Sequence, residues 1–109
     1  MSMMRQGLIE LEPGDVARMV GTGEAVLIDV REEEEWAEER IDGAILLPMS
    51  DLDPMAWPRY PGRKTIIMCL GGVRSAAVGR RLLALGHASA IHLKGGLQAW
   101  KEAGLAIAA

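Results

Sequence analysis

The residues best suited to chemistry stand together where an apolar segment ends. Cys69 is the only cysteine of the 109-residue chain, and it is followed by the segment Leu70-Gly71-Gly72-Val73-Arg74-Ser75. A deprotonated thiol is a strong nucleophile. A lone cysteine, however, commonly serves as a small buried hydrophobe. The surroundings of Cys69 must therefore decide between packing and catalysis.

The loop after Cys69 has the composition of an anion-binding turn. It joins an apolar strand to a segment with helical features, so that helix amides and the positive end of the helix dipole meet at one point. Gly71 and Gly72 allow close approach of backbone N–H groups, and Arg74 adds a cation. We expect these contributions to lower the pKa of Cys69. A plain strand-to-helix turn is the alternative for the two glycines.

Arg74 stands in the first turn of the helix that follows. A cation there opposes the helix dipole and needs a compensating anion. We expect the Cys69 thiolate or a bound oxyanion to supply that charge.

Strand and helix signals alternate along the chain. Apolar runs rich in β-branched residues predict strands over 25–30, 44–47, 65–69 and 88–93, with a further strand over 8–11. Helices are predicted over 13–20, 32–39, 75–85 and 97–103. Apolar strands that alternate with helices are typical of a parallel sheet covered on both faces. The sequence predicts one α/β domain over 1–109, a compact three-layer sandwich with a mainly parallel sheet of about five strands and helices on both faces.

The predicted helix over 75–85 has an apolar stripe. Val78, Leu82 and Leu85 follow helical spacing and are expected to face the core. Gly79 is unfavourable inside a helix, which suggests close packing against a neighbouring element.

Composition excludes several classes of partner. Half of the residues are apolar, and the formal charge of -3 gives no net attraction to nucleic acid or to an anionic membrane. No apolar run is long enough to span a bilayer, and no signal peptide is recognisable, so we expect a cytoplasmic protein. A single cysteine forms no internal disulfide.

Three segments of the chain resemble the rhodanese homology domain, a fold of sulfurtransferases. The segment 69–75 is similar to that family's active-site loop. The segment 27–32, Leu-Ile-Asp-Val-Arg-Glu, together with 41–44 and 47–48, resembles its N-terminal signature, and 93–100 resembles its C-terminal one. The order is right, and the likeness runs from about Leu8 to Gly104.

The resemblance implies a role for each matching residue. Cys69 would accept sulfane sulfur as a persulfide, and Arg74 would help to hold the anionic group of the donor. Asp29 and Arg31 would support the site, as a structural ion pair rather than in direct chemistry. No metal and no cofactor is implied. The cradle for the outer sulfur would be the backbone of Leu70, Gly71, Gly72, Val73, Arg74 and Ser75.

Two positions depart from the family pattern. Arg40 precedes Ile41 where many members have histidine, so any contact of that imidazole is absent or altered here. Leu70 follows the cysteine where some thiosulfate-using members have a basic residue. The sulfur donor therefore stays open, as do the acceptor and the oligomeric state.

The remaining polar and aromatic residues have ordinary interpretations. The acidic run 32–35, with Glu38 and Glu39, is interpreted as the solvated face of a helix. His87 and His92 lack the partners of a metal site and are assigned structural or surface roles. Aromatic packing in the core or at its rim is expected for Trp36, Trp57, Tyr60 and Trp100.

Three functions are compatible with these residues. The first is a sulfurtransferase that moves sulfane sulfur from a small donor such as thiosulfate to cyanide in an assay, or to a cellular thiol or protein, through a Cys69 persulfide. The second is a non-catalytic binding or redox-sensing module. The third is a cysteine phosphatase or arsenate reductase, whose loop is one residue longer than the four that separate Cys69 from Arg74.

Overall fold

The computed structural model describes residues 7–109, which form one parallel sheet and the helices that cover it. The strands are β1 (Leu8–Leu11), β2 (Ala25–Asp29), β3 (Ile45–Leu46), β4 (Lys64–Met68) and β5 (Ala90–Leu93). The helices are α1 (Pro13–Thr22), α2 (Glu33–Glu38), α3 (Val73–Ala84) and α4 (Gly96–Glu102), with a short 3₁₀ helix at Pro54–Ala56. The strand order is β1-β5-β4-β2-β3, and each pair of neighbouring strands is parallel.

Helices cover both faces of this sheet. On one face, Val16 of α1 and Leu97 and Trp100 of α4 pack against alternate strand residues such as Leu27 and Ile66. On the other face, α3 buries Val78 and Leu82 against Ile28, Ile67 and Ala90. All five residues of β2 are buried, as expected for a strand covered on both sides. The predicted three-layer α/β architecture is confirmed.

The predicted strands and helices all exist in the described residues, with shifts at their ends. The strand predicted over 44–47 is reduced to Ile45–Leu46, and the strand predicted over 65–69 ends at Met68. Cys69 is thereby the first residue beyond the sheet. Helix α3 begins two residues earlier than predicted, because Gly72 adopts a φ of 103° and caps it.

The expected core stripe of α3 is correct at two positions and wrong at the third. Leu85 is 46% exposed, because the helix ends at Ala84 and Leu85 lies at its C-cap. The close packing expected at Gly79 is confirmed: a Cβ there would lie 2.6 Å from Cδ1 of Leu8.

The aromatic residues lie in or beside the core. Trp57 and Trp100 are buried, and Tyr60 packs at the edge of the cluster under α3. Trp36 is half-buried, and its ring lies 5.6 Å from the Arg40 guanidinium carbon.

Candidate active site

Cys69 lies at the carboxyl edge of the sheet, directly after the central strand β4. The loop turns through Gly72 into α3, and this turn aims backbone amides at the sulfur. Sγ accepts hydrogen bonds from the amide of Gly72 at 3.1 Å and from that of Ser75 at 3.3 Å. The Ser75 hydroxyl lies 3.5 Å from Sγ. The sulfur thus occupies the anion position at a helix N-terminus.

These contacts change the acidity of the thiol. Burial acts to raise the pKa of Cys69, but hydrogen bonds from the Ser75 hydroxyl and from the amides of Ser75, Gly72 and Gly71 outweigh it and lower the pKa below its ordinary value. Cys69 is only 1% exposed, so the shift does not come from solvent contact. The arrangement is able to hold a thiolate for attack on an electrophilic atom.

Apart from Arg74, the residues of the predicted cradle divide into two groups. Gly71, Gly72 and Ser75 direct backbone groups at the sulfur. Leu70 and Val73 instead present their side chains to solvent, at 36% and 79% exposure. The loop is therefore polar toward the sulfur and apolar on its outer surface.

Arg74 has a different partner from the expected one. Its guanidinium makes a two-pronged ion pair with the carboxylate of Glu35 in α2, at 2.8 and 2.9 Å. The compensating anion is thus a protein carboxylate, although Arg74 and Cys69 are close enough for their charges to interact. The Arg74 hydrogen bond, against an opposing effect of burial, lowers the pKa of Glu35 to about 2, so the pair is ionised at neutral pH.

Glu35 is not part of a freely solvated acidic face. Besides binding Arg74, its carboxylate accepts the backbone N–H of Glu32 at 3.0 Å, as in a capping box. The expectation of a solvated acidic helix is wrong at this position. The three-residue spacing from Glu32 to Glu35 at a helix start was the available signal for the cap, and no signal indicated Arg74.

Asp29 and Arg31 form the expected ion pair. Nη2 of Arg31 lies 2.8 Å from Oδ2 of Asp29, and both side chains are almost completely buried. Arg31 also donates to the backbone carbonyl of Glu39 at 2.8 Å. The pair ties the end of β2 to the chain at the end of α2, and its hydrogen bonds do not reach Cys69 within the part of the chain that the structure describes.

Helix α4 supports the loop from the other side. The amides of Leu97 and Gln98 donate to the carbonyls of Cys69 and Leu70 at 2.9 and 3.0 Å. Gly96, with a φ of 62°, lies so close that a Cβ would come within 2.5 Å of the Cys69 carbonyl oxygen. The adjacent glycines Gly95 and Gly96 at the start of α4 are the sequence signal that could have indicated this close approach.

His92 is buried beside the sulfur rather than at the surface. Its Nδ1 lies 2.8 Å from the Ser75 hydroxyl oxygen. Burial lowers the pKa of His92, and Glu10 opposes that effect only in part. The structural role expected for His92 therefore includes a direct contact with a residue of the sulfur site, which the sequence did not indicate.

Two structural features are absent from residues 7–109. They contain no group of three or more His, Cys, Asp or Glu side chains arranged to hold a metal ion. Among the same residues, no helix combines the length and apolarity needed to cross a membrane.

Comparison with known families and relatives gives a consistent result. Residues 12–103 match the family model of the rhodanese-like domain. A protein described as a sulfurtransferase from Allochromatium vinosum is 34% identical over 84% of this chain and 86% of its own length. An uncharacterized protein of Synechocystis is 35% identical over 96% of this chain, which spans 59% of that protein.

Solved structures share the fold. A rhodanese-related protein from Thermoplasma volcanium has a TM-score of 0.78 at 27% identity, covering 92% of this chain and 97% of that one. A protein of Rhodopseudomonas palustris described as a possible tyrosine phosphatase has a TM-score of 0.77 at 25% identity, covering 93% and 85%.

Proposed function

Because the chain belongs to the rhodanese-like domain family, we propose that it is a sulfurtransferase that carries sulfane sulfur on Cys69. The observation that carries this proposal is the pair of amide hydrogen bonds from Gly72 and Ser75 to Sγ. They supply fixed positive dipoles where a thiolate or a persulfide anion would lie. The sulfurtransferase name of the Allochromatium relative supports the same reaction class.

The first half-reaction loads the enzyme. The Cys69 thiolate attacks the outer sulfur of a donor such as thiosulfate, and a new S–S bond forms. The bond between that sulfur and the sulfonate breaks, and sulfite leaves with the electron pair. Cys69 then carries a persulfide whose terminal sulfur bears the negative charge.

The second half-reaction returns the thiolate. A nucleophile attacks the outer sulfur, the S–S bond breaks, and its electron pair remains on Cys69. No second cysteine is present in this chain to take the sulfur. The acceptor is therefore external, either cyanide in an assay or a thiol of a small molecule or protein. A reducing compartment such as the cytoplasm would keep the single thiol free between turnovers.

Mass spectrometry tests the covalent intermediate. After incubation with thiosulfate, mercaptopyruvate or glutathione persulfide, Cys69 should gain the mass of one sulfur atom with at least one donor. Cys69→Ala should gain none and should form no thiocyanate. A thiol that stays unmodified with all three donors contradicts the proposal. Repeated formation of thiocyanate separates an enzyme from a redox-sensing module, whose thiol would react once with peroxide and stop.

Phosphoryl transfer is the second candidate because of the possible phosphatase among the solved structures. Two observations favour sulfur over phosphate. Only four residues separate Cys69 from Arg74, and the Arg74 guanidinium is already paired with Glu35. Hydrolysis of an aryl phosphate that is lost in Cys69→Ser would reverse this ranking.

A further inference from the structure

His92 is a buried polar residue between the sheet and α3 that the sulfur chemistry described above does not use. The parallel register aligns it with Glu10 of the edge strand β1 and with Ile67 of β4. Ile67 packs in the cluster under α3, and Cys69 follows it by two residues and packs in the same cluster. His92 is thereby placed beside the base of the sulfur loop, at 1% exposure.

A continuous set of polar contacts leads from His92 to the sulfur. Nδ1 of His92 lies 2.8 Å from the Ser75 hydroxyl oxygen, and that oxygen lies 3.5 Å from Sγ of Cys69. At the other end of the ring, Nε2 lies 3.1 Å from Oε2 of Glu10. Nε2 nevertheless makes no aligned hydrogen bond. We therefore treat Glu10 as an electrostatic partner whose exposed carboxylate is free to turn toward the ring.

The Ser75 hydroxyl has one hydrogen and three possible acceptors. These are Nδ1 of His92, the sulfur of Cys69, and the Gly72 carbonyl at 3.2 Å. While Cys69 is a neutral thiol, its S–H is able to donate to Ser75, and the Ser75 hydrogen is then free for Nδ1. Once the sulfur is a thiolate it is the strongest acceptor, and the hydroxyl must donate to it. Ser75 can do so and keep its contact with His92 only if Nδ1 carries a hydrogen.

The charges around the ring fit a group that changes its protonation state. Burial favours the neutral imidazole and lowers the pKa of His92, and the positive charge of Arg80 on α3 acts in the same direction. Glu10 on β1 opposes both. Near neutral pH the ring is therefore uncharged before the thiol ionises, and one of its nitrogens is free to accept a proton. A thiolate formed two contacts away would add a negative charge that stabilises the imidazolium.

We propose that His92 is a positioning residue that accepts the proton of the Cys69 thiol through the Ser75 hydroxyl. The S–H bond of Cys69 breaks as its proton passes to Oγ of Ser75, and the original hydroxyl proton passes to Nδ1 of His92. The products are a thiolate, an unchanged serine and an imidazolium facing Glu10. The total number of protons is conserved. The proposal rests on Cys69 being the nucleophile of the proposed sulfurtransferase.

The pH dependence of thiol alkylation tests the proposal. His92→Asn places an amide group near the position of Nδ1, so that a hydrogen bond to Ser75 is retained while proton acceptance is lost. We expect the midpoint of the iodoacetamide rate profile to rise by about one pH unit, so that the alkylation rate falls about tenfold at pH values well below the midpoint. His87→Asn, at a half-buried loop position away from the sulfur, is the matched control and should leave the profile unchanged. A profile of His92→Asn that coincides with the wild type would overturn the proposal.

A measurement on the native histidine covers the case in which the variant is poorly folded. In ¹⁵N-histidine-labelled protein, the His92 nitrogens should report an imidazolium in the pH range where thiol ionisation begins, because the thiolate stabilises the positive charge. In Cys69→Ala the same ring should be neutral over that range, while His87 serves as the internal reference. Identical titration of His92 with and without the thiol contradicts the proposal. Neither readout involves sulfur transfer, so a failed persulfide assay and a failed relay are distinguishable.

Discussion

At the level of single residues, Gly96 shows how little room surrounds the sulfur loop. Its missing side chain lets the first turn of α4 approach the loop, where a Cβ would lie 2.5 Å from the carbonyl oxygens of both Cys69 and Leu70. Those backbone atoms cannot move without disturbing the two amide hydrogen bonds that α4 donates to them. The conformation, with a φ of 62°, also disfavours any residue with a Cβ.

Replacement of Gly96 by alanine should therefore be costly. We expect Gly96→Ala to lower the free energy of unfolding by about 3 kcal/mol or more, since steric overlap adds to backbone strain. Gly104→Ala is the matched control: its φ of 78° is similar, but a Cβ there meets nothing within 4 Å. It should lose only about 1 kcal/mol, from the backbone alone. Equal losses for the two variants in urea denaturation would show that contact with the loop is not the cause.

At the level of elements, the short helix α2 is joined to the first turn of α3 by one ion pair. Glu35 satisfies Arg74 and at the same time caps its own helix. Glu35 thereby provides the negative charge that a cation at the start of α3 requires. It also neutralises the loop's only arginine, which would otherwise attract an anionic donor.

The variant Glu35→Gln tests how this pairing affects the donor. Without the carboxylate, the Arg74 charge beside Cys69 is uncompensated, and we expect the KM for thiosulfate to fall about threefold or more, since two-pronged pairing is the strongest form of this contact. Glu34→Gln removes the same charge from an exposed position of the same helix and is the matched control. Steady-state thiocyanate formation measures both. An equal change of KM in the two variants would assign the effect to net charge. An unchanged KM in Glu35→Gln would show that the Glu35–Arg74 pair does not affect donor binding.

Across the whole molecule, the buried pair Asp29–Arg31 is the main charged element of the interior. Arg31 is among the largest fully buried side chains, and its hydrogen bonds run to Asp29 and to the backbone carbonyls of Glu35 and Glu39. A buried charge whose partner is removed is strongly destabilising. The pair therefore holds the chain around α2, which carries Glu35, against the end of β2.

Global stability should depend on this pair, and thiol acidity should not. We expect Asp29→Asn to lower the free energy of unfolding by about 3 kcal/mol. Asp15→Asn, which breaks an exposed pair with Arg18 in α1, should change it by less than about 1 kcal/mol. Urea denaturation compares the two, and iodoacetamide alkylation compares their pH profiles. A shifted alkylation profile in Asp29→Asn at unchanged stability would place Asp29 in the chemistry instead.

Local residue patterns were sufficient to predict most of the secondary structure of this protein and the position of Cys69. Apolar runs and helix signals predicted the strands and helices, and their alternation predicted the parallel sheet, because burial on both faces requires strands that are apolar throughout. The glycine turn after an apolar strand likewise placed Cys69 at a helix N-terminus. Only short-range regularities are needed for these inferences. The ends of the helices and strands were harder to predict, since Leu85 follows the helical spacing of α3 but lies beyond its last turn.

The side chains that contact Arg74 and Ser75 could not be predicted from local residue patterns. Glu35 lies 39 positions before Arg74, and His92 lies 17 positions after Ser75. These pairs meet only because β5 is inserted between β1 and β4, and because α2 crosses the carboxyl edge of the sheet near the start of α3. Strand order follows from how all the layers pack at once, and no local spacing encodes it. The sequence thus located Cys69, the proposed nucleophile, whereas tertiary packing determined which side chains contact Arg74 and Ser75 beside it.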